Sequence, residues 1–164
     1  RIARAAGIPV SVDVDTIYPG FENVLPNVDY LIASQEFPAR WTKINDPFDA
    51  LKSLQHDYGM RFAAMTLGAH GSLSLEGDAF HYSPGFIVNC IDTTGAGDVF
   101  HGAFCYAMVR GMATRDALEF SNAMAALNCT AFGARGGIAT LEAVRELMRL
   151  GQRRTNPDIA ARAL

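Results

Sequence analysis

The spacing of apolar residues changes along the chain, and the changes mark its elements. Between residues 8 and 15 β-branched side chains alternate with small or polar ones. That two-residue period predicts a strand with the carboxylates Asp13 and Asp15 at its C-terminal end. Short apolar runs at 28–33 and 61–67 predict two buried strands, and 72–76 with 79–82 flank Gly77-Asp78 as the arms of a hairpin. A further strand is predicted over 86–91. Elsewhere the period lengthens. Phe48, Leu51 and Leu54 form a helical stripe that opens on Asp46-Pro47 and closes on Gly59, and another helix is expected after Ser34. Phe100, Phe104, Ala107 and Met108 share one helical face. Thr114 is expected to cap a helix so poor in charge from Phe120 to Phe132 that it should be buried nearly all round. Gly133 to Gly137 should break it, Thr140 should open a helix reaching Gly151, and Asn156-Pro157 a short last one.

Strands alternating with helices predict an α/β fold with a mainly parallel sheet covered by helices on both faces. The 164 residues are expected to form one unit with a sizeable core. Hydrophobic residues make up 49% and charged residues 19%, with a formal net charge of −3, which excludes disorder and a general polyanion binder. Arg153, Arg154 and Arg162 are too scattered for a nucleic-acid patch and are expected in a solvated tail. No apolar run approaches the ~18 residues of a membrane span. Cys90, Cys105 and Cys129 form no C-x-x-C pair, so they are expected as small core residues of a protein in a reducing, cytoplasmic compartment. A chain opening at Arg1, within what reads as the last turn of a helix ending at Gly7, is expected to be a piece of a longer one.

Candidate chemistry concentrates in Asp92-Thr-Thr-Gly-Ala-Gly-Asp98, just ahead of the Phe100 helix. The N–H groups of Gly95, Ala96 and Gly97 could converge on an anion at the positive end of the helix dipole. A carboxylate at Asp98 would repel a resting phosphate unless it were there to take a proton from an attacking hydroxyl, and a base beside an anion hole suggests phosphoryl transfer. The plainer alternative is a glycine turn with Asp98 as a capping residue. A dinucleotide fingerprint would need glycine where Phe100 stands, and the chain contains neither G-K-[ST] nor G-x-S-x-G.

Asp92 through Phe104 resembles the C-terminal signature D-T-T-G-A-G-D-x-F-x-G-A-F of the ribokinase-like (PfkB) carbohydrate kinases. Ser11-Val-Asp-Val, Met65-Thr-Leu-Gly-Ala-His-Gly71 and the stretch from Asn122 to Ala134 agree with that family in order and spacing. The resemblance implies a ribokinase-like fold and ATP-dependent phosphorylation of a hydroxyl on a sugar or related small polyol. In that scheme Asp98 is general base, and Gly95, Ala96 and Gly97 hold the charge of the transferred group. Thr66, Gly68 and Gly71 would line the ATP phosphates and ribose, with Asn122 beside the adenine. Asp92, Thr94 and carbonyls near Cys129, Phe132 and Ala134 would form a monovalent cation (K+) site. A homodimeric parent is compatible with the family, and neither nucleic acid nor membrane is implied.

The chain departs from the pattern in two places. Where members carry N-x-x-E to organise Mg2+, it reads Ser34-Gln-Glu-Phe37, leaving Glu36 as a displaced candidate. The family's N-terminal part, with its sugar-binding G-G-x-x-x-N segment and β-lid, has no counterpart in these residues, so the isolated chain is expected to bind nucleotide weakly and to leave sugars unphosphorylated. Two alternatives stay open: a non-catalytic adenine-nucleotide-binding regulatory module, and a nucleoside or vitamin-precursor kinase of the same family. His101, three residues after Asp98, is expected in a packing role and His70 in a solvated one.

Overall fold

The computed structural model describes residues 1–163, which divide into two units: Arg1–Thr66 with Ser74–Phe80, and Leu67–Leu73 with the residues from His81 onward. The first unit opens with α1 (Ile2–Ala5), after which β1 (Ser11–Val14) and β2 (Tyr30–Ala33) lead to α2 (Phe37–Thr42) and α3 (Pro47–Tyr58). Then come β3 (Phe62–Thr66), β4 (Ser72–Glu76) and β5 (Ala79–Ser83), and the five strands form one mixed sheet in the order β1-β2-β3-β4-β5, flanked by helices. The first three strands run parallel, with Val12 opposite Leu31 and Ile32 opposite Ala64. β5 must return antiparallel to β4, because only two residues join them and Gly77 turns with φ +58°.

Local chemistry accounts for these elements. Asp46 stands outside α3 and its Oδ1 accepts from the N–H groups of Phe48 at 3.0 Å and Asp49 at 3.1 Å, while Gly59 ends the helix in the left-handed region. Val14 is buried between exposed Asp13 and Asp15, as alternation requires. Val14, Leu31, Phe37 and Leu54 belong to a core against which Phe21 and Trp41 pack. Trp41 stacks on Phe37 at 5.8 Å and donates its indole N–H to Tyr58 Oη at 3.0 Å. Asp29 hides in what the sequence presents as an apolar run: it is 5% exposed, accepts from Val10 N at 2.9 Å and lies 3.9 and 3.8 Å from the guanidinium groups of Arg4 and Arg61. Those cations, 25 and 32 residues away in the chain, are why it can be buried.

The second unit contains β6 (Gly85–Phe86), α4 (Ala96–Val109), α5 (Thr114–Asn128), α6 (Leu141–Leu150), β7 (Arg153–Arg154) and α7 (Pro157–Ala160). Here five expectations are corrected. The strand foreseen over 86–91 is only β6, paired antiparallel with β7, and Ile87 and Ile91 are exposed. Thr114 does not cap α5 but is its first residue, buried, with Ala113 at the cap. Between Ala117 and Ala131 no side chain is fully exposed, as the charge-poor sequence requires, yet Phe132 lies beyond the helix end and is 79% exposed. Arg153 is no solvated tail residue: it pairs with Glu119, donates to Met148 O at 2.9 Å and lies over the Phe86 ring at 3.6 Å. The cysteines are also less buried than foreseen, Cys90 being exposed and Cys105 and Cys129 half-buried. Thr140 and Asn156 cap α6 and α7 through their side chains as expected.

Candidate functional site

The loop from Asp92 to Asp98 is held against the turn that follows α5. Asp92 Oδ1 accepts from Thr94 N at 2.9 Å and Oδ2 from Gly133 N at 2.8 Å, and these bonds, that to Thr94 foremost, hold its carboxyl below the usual carboxylate value. Cys129 O accepts from Ile91 N at 2.7 Å and Asp92 N at 3.2 Å. Burial pushes the Cys129 thiol up, and its interaction with the Cys90 thiol adds to that shift. Gly95 cannot be another residue. Its φ is +74°, and a Cβ there would sit 2.6 Å from Ala134 O.

This geometry bears on the capping alternative for Asp98. The N-cap of α4 is Gly95, no side chain caps the helix, and Asp98 is its third residue, exposed in the first turn. A capping role for Asp98 is therefore excluded. Ala96 N is already turned back onto Thr93 O at 3.1 Å, which corrects the expected donor set. The N–H groups of Gly95, Gly97 and Asp98 have no acceptor among the described residues and leave the N-terminal end of α4 open. Beside them lies a cavity of about 540 Å³ whose lining includes Asp98, Gly102, Phe120, Arg135 and Leu141. Asp98 and Arg135 are its charged residues.

Gly68 and Gly71 sit in a second backbone turn of the same unit. Residues Gly68–His70 form a 3-10 turn closed by Leu67 N donating to Gly71 O at 2.7 Å. Gly71 has φ +93°, and a Cβ there would run into Ser83 O. Tyr82 Oη donates to His70 O at 2.9 Å and accepts from Asn156 N at 2.7 Å, and burial raises its pKa. Asn122 is 7% exposed and its Nδ2 is committed to Ser72 Oγ at 3.2 Å and Ser83 O at 3.0 Å. It braces the turn through protein atoms, so the amide expected to face an adenine is used internally. Thr66 and Glu36 belong to the first unit. Thr66 is half-buried with Oγ1 3.5 Å from Ala33 O, and Glu36 is exposed at the cap of α2.

Two of the implied groups fit unequally. Phosphate-like oxygens match the open N–H donors in sign, while the glycines at 95 and 71 are required by the close approach of Ala134 and Ser83. No group of three or more His, Cys, Asp or Glu that could hold a metal ion occurs among the described residues. Among the implied cation ligands, Asp92 and the Thr94, Cys129 and Ala134 carbonyls already accept hydrogen bonds. Asn128 donates from Nδ2 to Thr94 O at 3.4 Å and to Ala134 O at 3.2 Å.

A largely parallel α/β sheet followed by a glycine loop that opens a helix is the architecture of the ribokinase-like fold. Residues 1–141 match the pfkB family carbohydrate kinases, and the chain belongs to that family. It is 34% identical over 152 residues to the ribokinase of Haemophilus influenzae, covering 90% of this chain and 50% of the relative. The crystal structure of ribokinase from Thermotoga maritima superposes with TM-score 0.77 at 26% identity, covering 90% of this chain and 51% of that one. The structure of Arabidopsis thaliana ribokinase complexed with ribose and ATP superposes with TM-score 0.76 at 27% identity, covering 89% and 49%. The chain thus spans about half the length of these relatives. No helix among the described residues is long and apolar enough to cross a membrane.

Proposed function

We propose that the protein to which this chain belongs phosphorylates a hydroxyl group of a sugar or related small polyol, with ATP as donor and Asp98 as general base. The observation that carries this reading is the position of Asp98: exposed in the first turn of α4, free of any capping duty, beside N–H groups left open to an anion. ATP, when bound, supplies the phosphoryl group and leaves as ADP. The acceptor hydroxyl gives its proton to the Asp98 carboxylate as its oxygen bonds to phosphorus, so negative charge grows on the transferred group while the base is neutralised. The Gly95, Gly97 and Asp98 N–H groups point their dipoles at that charge without reorganising. Gly68 and Gly71 offer backbone that can lie close to a phosphate chain, and Asn122 fixes that turn by way of Ser72 and Ser83.

The test is ADP release by the full-length protein over a panel of sugars, wild type against Asp98→Asn. Loss of turnover with retained ATP binding supports the base. Unchanged turnover removes Asp98 from the chemistry, and ATP binding without turnover of any acceptor in the wild type favours the regulatory module instead.

A further inference from the structure

Asn128 is 0% exposed at the C-terminal end of α5, and its side chain reaches both loops of the candidate site. Nδ2 bridges Thr94 O and Ala134 O, one carbonyl from each loop, and Oδ1 has no hydrogen-bond partner. The orientation is fixed by chemistry: rotating the amide would set Oδ1 against two carbonyl oxygens and lose both bonds. The same two carbonyls are among the oxygens that a monovalent cation would have to gather. Two of the others already accept hydrogen bonds, Asp92 from Thr94 N and Gly133 N, and Cys129 O from Ile91 N and Asp92 N. A cation holds such loops together by drawing carbonyl dipoles onto one positive centre, and an amide NH2 carrying two donors does the same for two carbonyls with no net charge. Gly137 makes room for this arrangement, because a Cβ there would lie 2.5 Å from the backbone oxygens of Asn128 and Leu127.

We propose that the Asn128 amide takes the place of a monovalent cation in this chain, bridging the glycine loop to the turn after α5, so that the site needs no K+ to keep its shape. Asn128 is a positioning residue: it acts on Gly95 and Asp98 through Thr94 and Ala134. The inference rests on the proposed function only for its consequence on turnover. The bridge itself is tested by stability.

Thermal unfolding of the full chain is followed in KCl and in tetramethylammonium chloride at matched ionic strength, for the wild type, Asn128→Asp and Asn128→Ala. The wild-type midpoint is expected to be the same in both salts. Asn128→Asp, which loses both donors and sets a carboxylate against two carbonyls, should unfold ~5 °C or more lower in tetramethylammonium. K+ should restore much of that loss, while Asn128→Ala is lowered in both salts. A K+-specific rise in the wild-type midpoint overturns the proposal, and so does an Asn128→Asp midpoint equal to wild type in both salts. If the variants do not fold, the wild-type comparison decides alone. Should no sugar be phosphorylated while the wild type stays indifferent to K+, the bridge stands and the kinase reading falls. In an active enzyme, the Michaelis constant for ATP should not change between the two salts.

Discussion

Two helix starts in this chain are built in opposite ways. At α3, Asp46 caps the end with its own carboxylate and two backbone N–H groups are satisfied from within. At α4, a left-handed glycine takes the cap position, no side chain closes the end, and three N–H groups face outward. Both helices carry an aspartate in the first turn, Asp49 and Asp98. Stability explains the first arrangement completely. The second is built differently, because the φ of +74° and the nearness of Ala134 require glycine at position 95, which has no side chain to close the end, and the open donors have the right sign to receive an anion.

Four substitutions or conditions break or sharpen that contrast. The largest effect belongs to Asp98→Asn, which should lower kcat by ~10²- to 10⁴-fold in the full-length protein while leaving the unfolding midpoint unchanged. The equivalent change at Asp49 should leave turnover alone. Next, Gly95→Ala places a Cβ into Ala134 at positive φ and should cost ~1–3 kcal/mol in urea denaturation, with weakened ATP binding. Third, Asp46→Ala should cost ~1 kcal/mol of stability by the same measurement with kinetics unaffected, since the donors it closes are structural.

The smallest effect concerns pH. The Thr94 and Gly133 N–H groups hold the folded Asp92 carboxyl below the ordinary aspartate range, so its contribution to stability is present above that range and is lost as pH falls through the lower folded value. Wild type and Asp92→Asn should therefore differ in unfolding midpoint near neutrality and converge in acid. A difference that grew on acidification would show that the Thr94 and Gly133 bonds do not favour the charged form.

The sequence made the strands, α3 with both ends, and the glycine loop legible because each is set by neighbours in the chain: a cap, a period, a turn dipeptide. What it hid depends on partners far away. Asp29 reads as an oddity in a strand until Arg4 and Arg61 come together on it. Ile87 to Ile91 has strand composition, but the strand that pairs with this region is only Arg153–Arg154, so the ladder stops after two residues. Asn122 and Asn128 look alike on paper, two amides on one greasy helix. One holds the turn at Ser72 and Ser83 and the other the loops at Thr94 and Ala134, and only the fold tells them apart.

The Tyr82 hydroxyl has a consequence for the order in which a ribosome delivers this chain. It fastens His70 O on one side and Asn156 N on the other, so the turn that carries Gly68 and Gly71 acquires its last tether from a residue translated 86 positions after His70. At a synthesis rate of ~5–20 residues per second, that turn waits ~4–17 s between its own emergence and its completion. A nascent chain halted before Asn156 would carry every glycine of the site and still hold that turn by one hydrogen bond fewer.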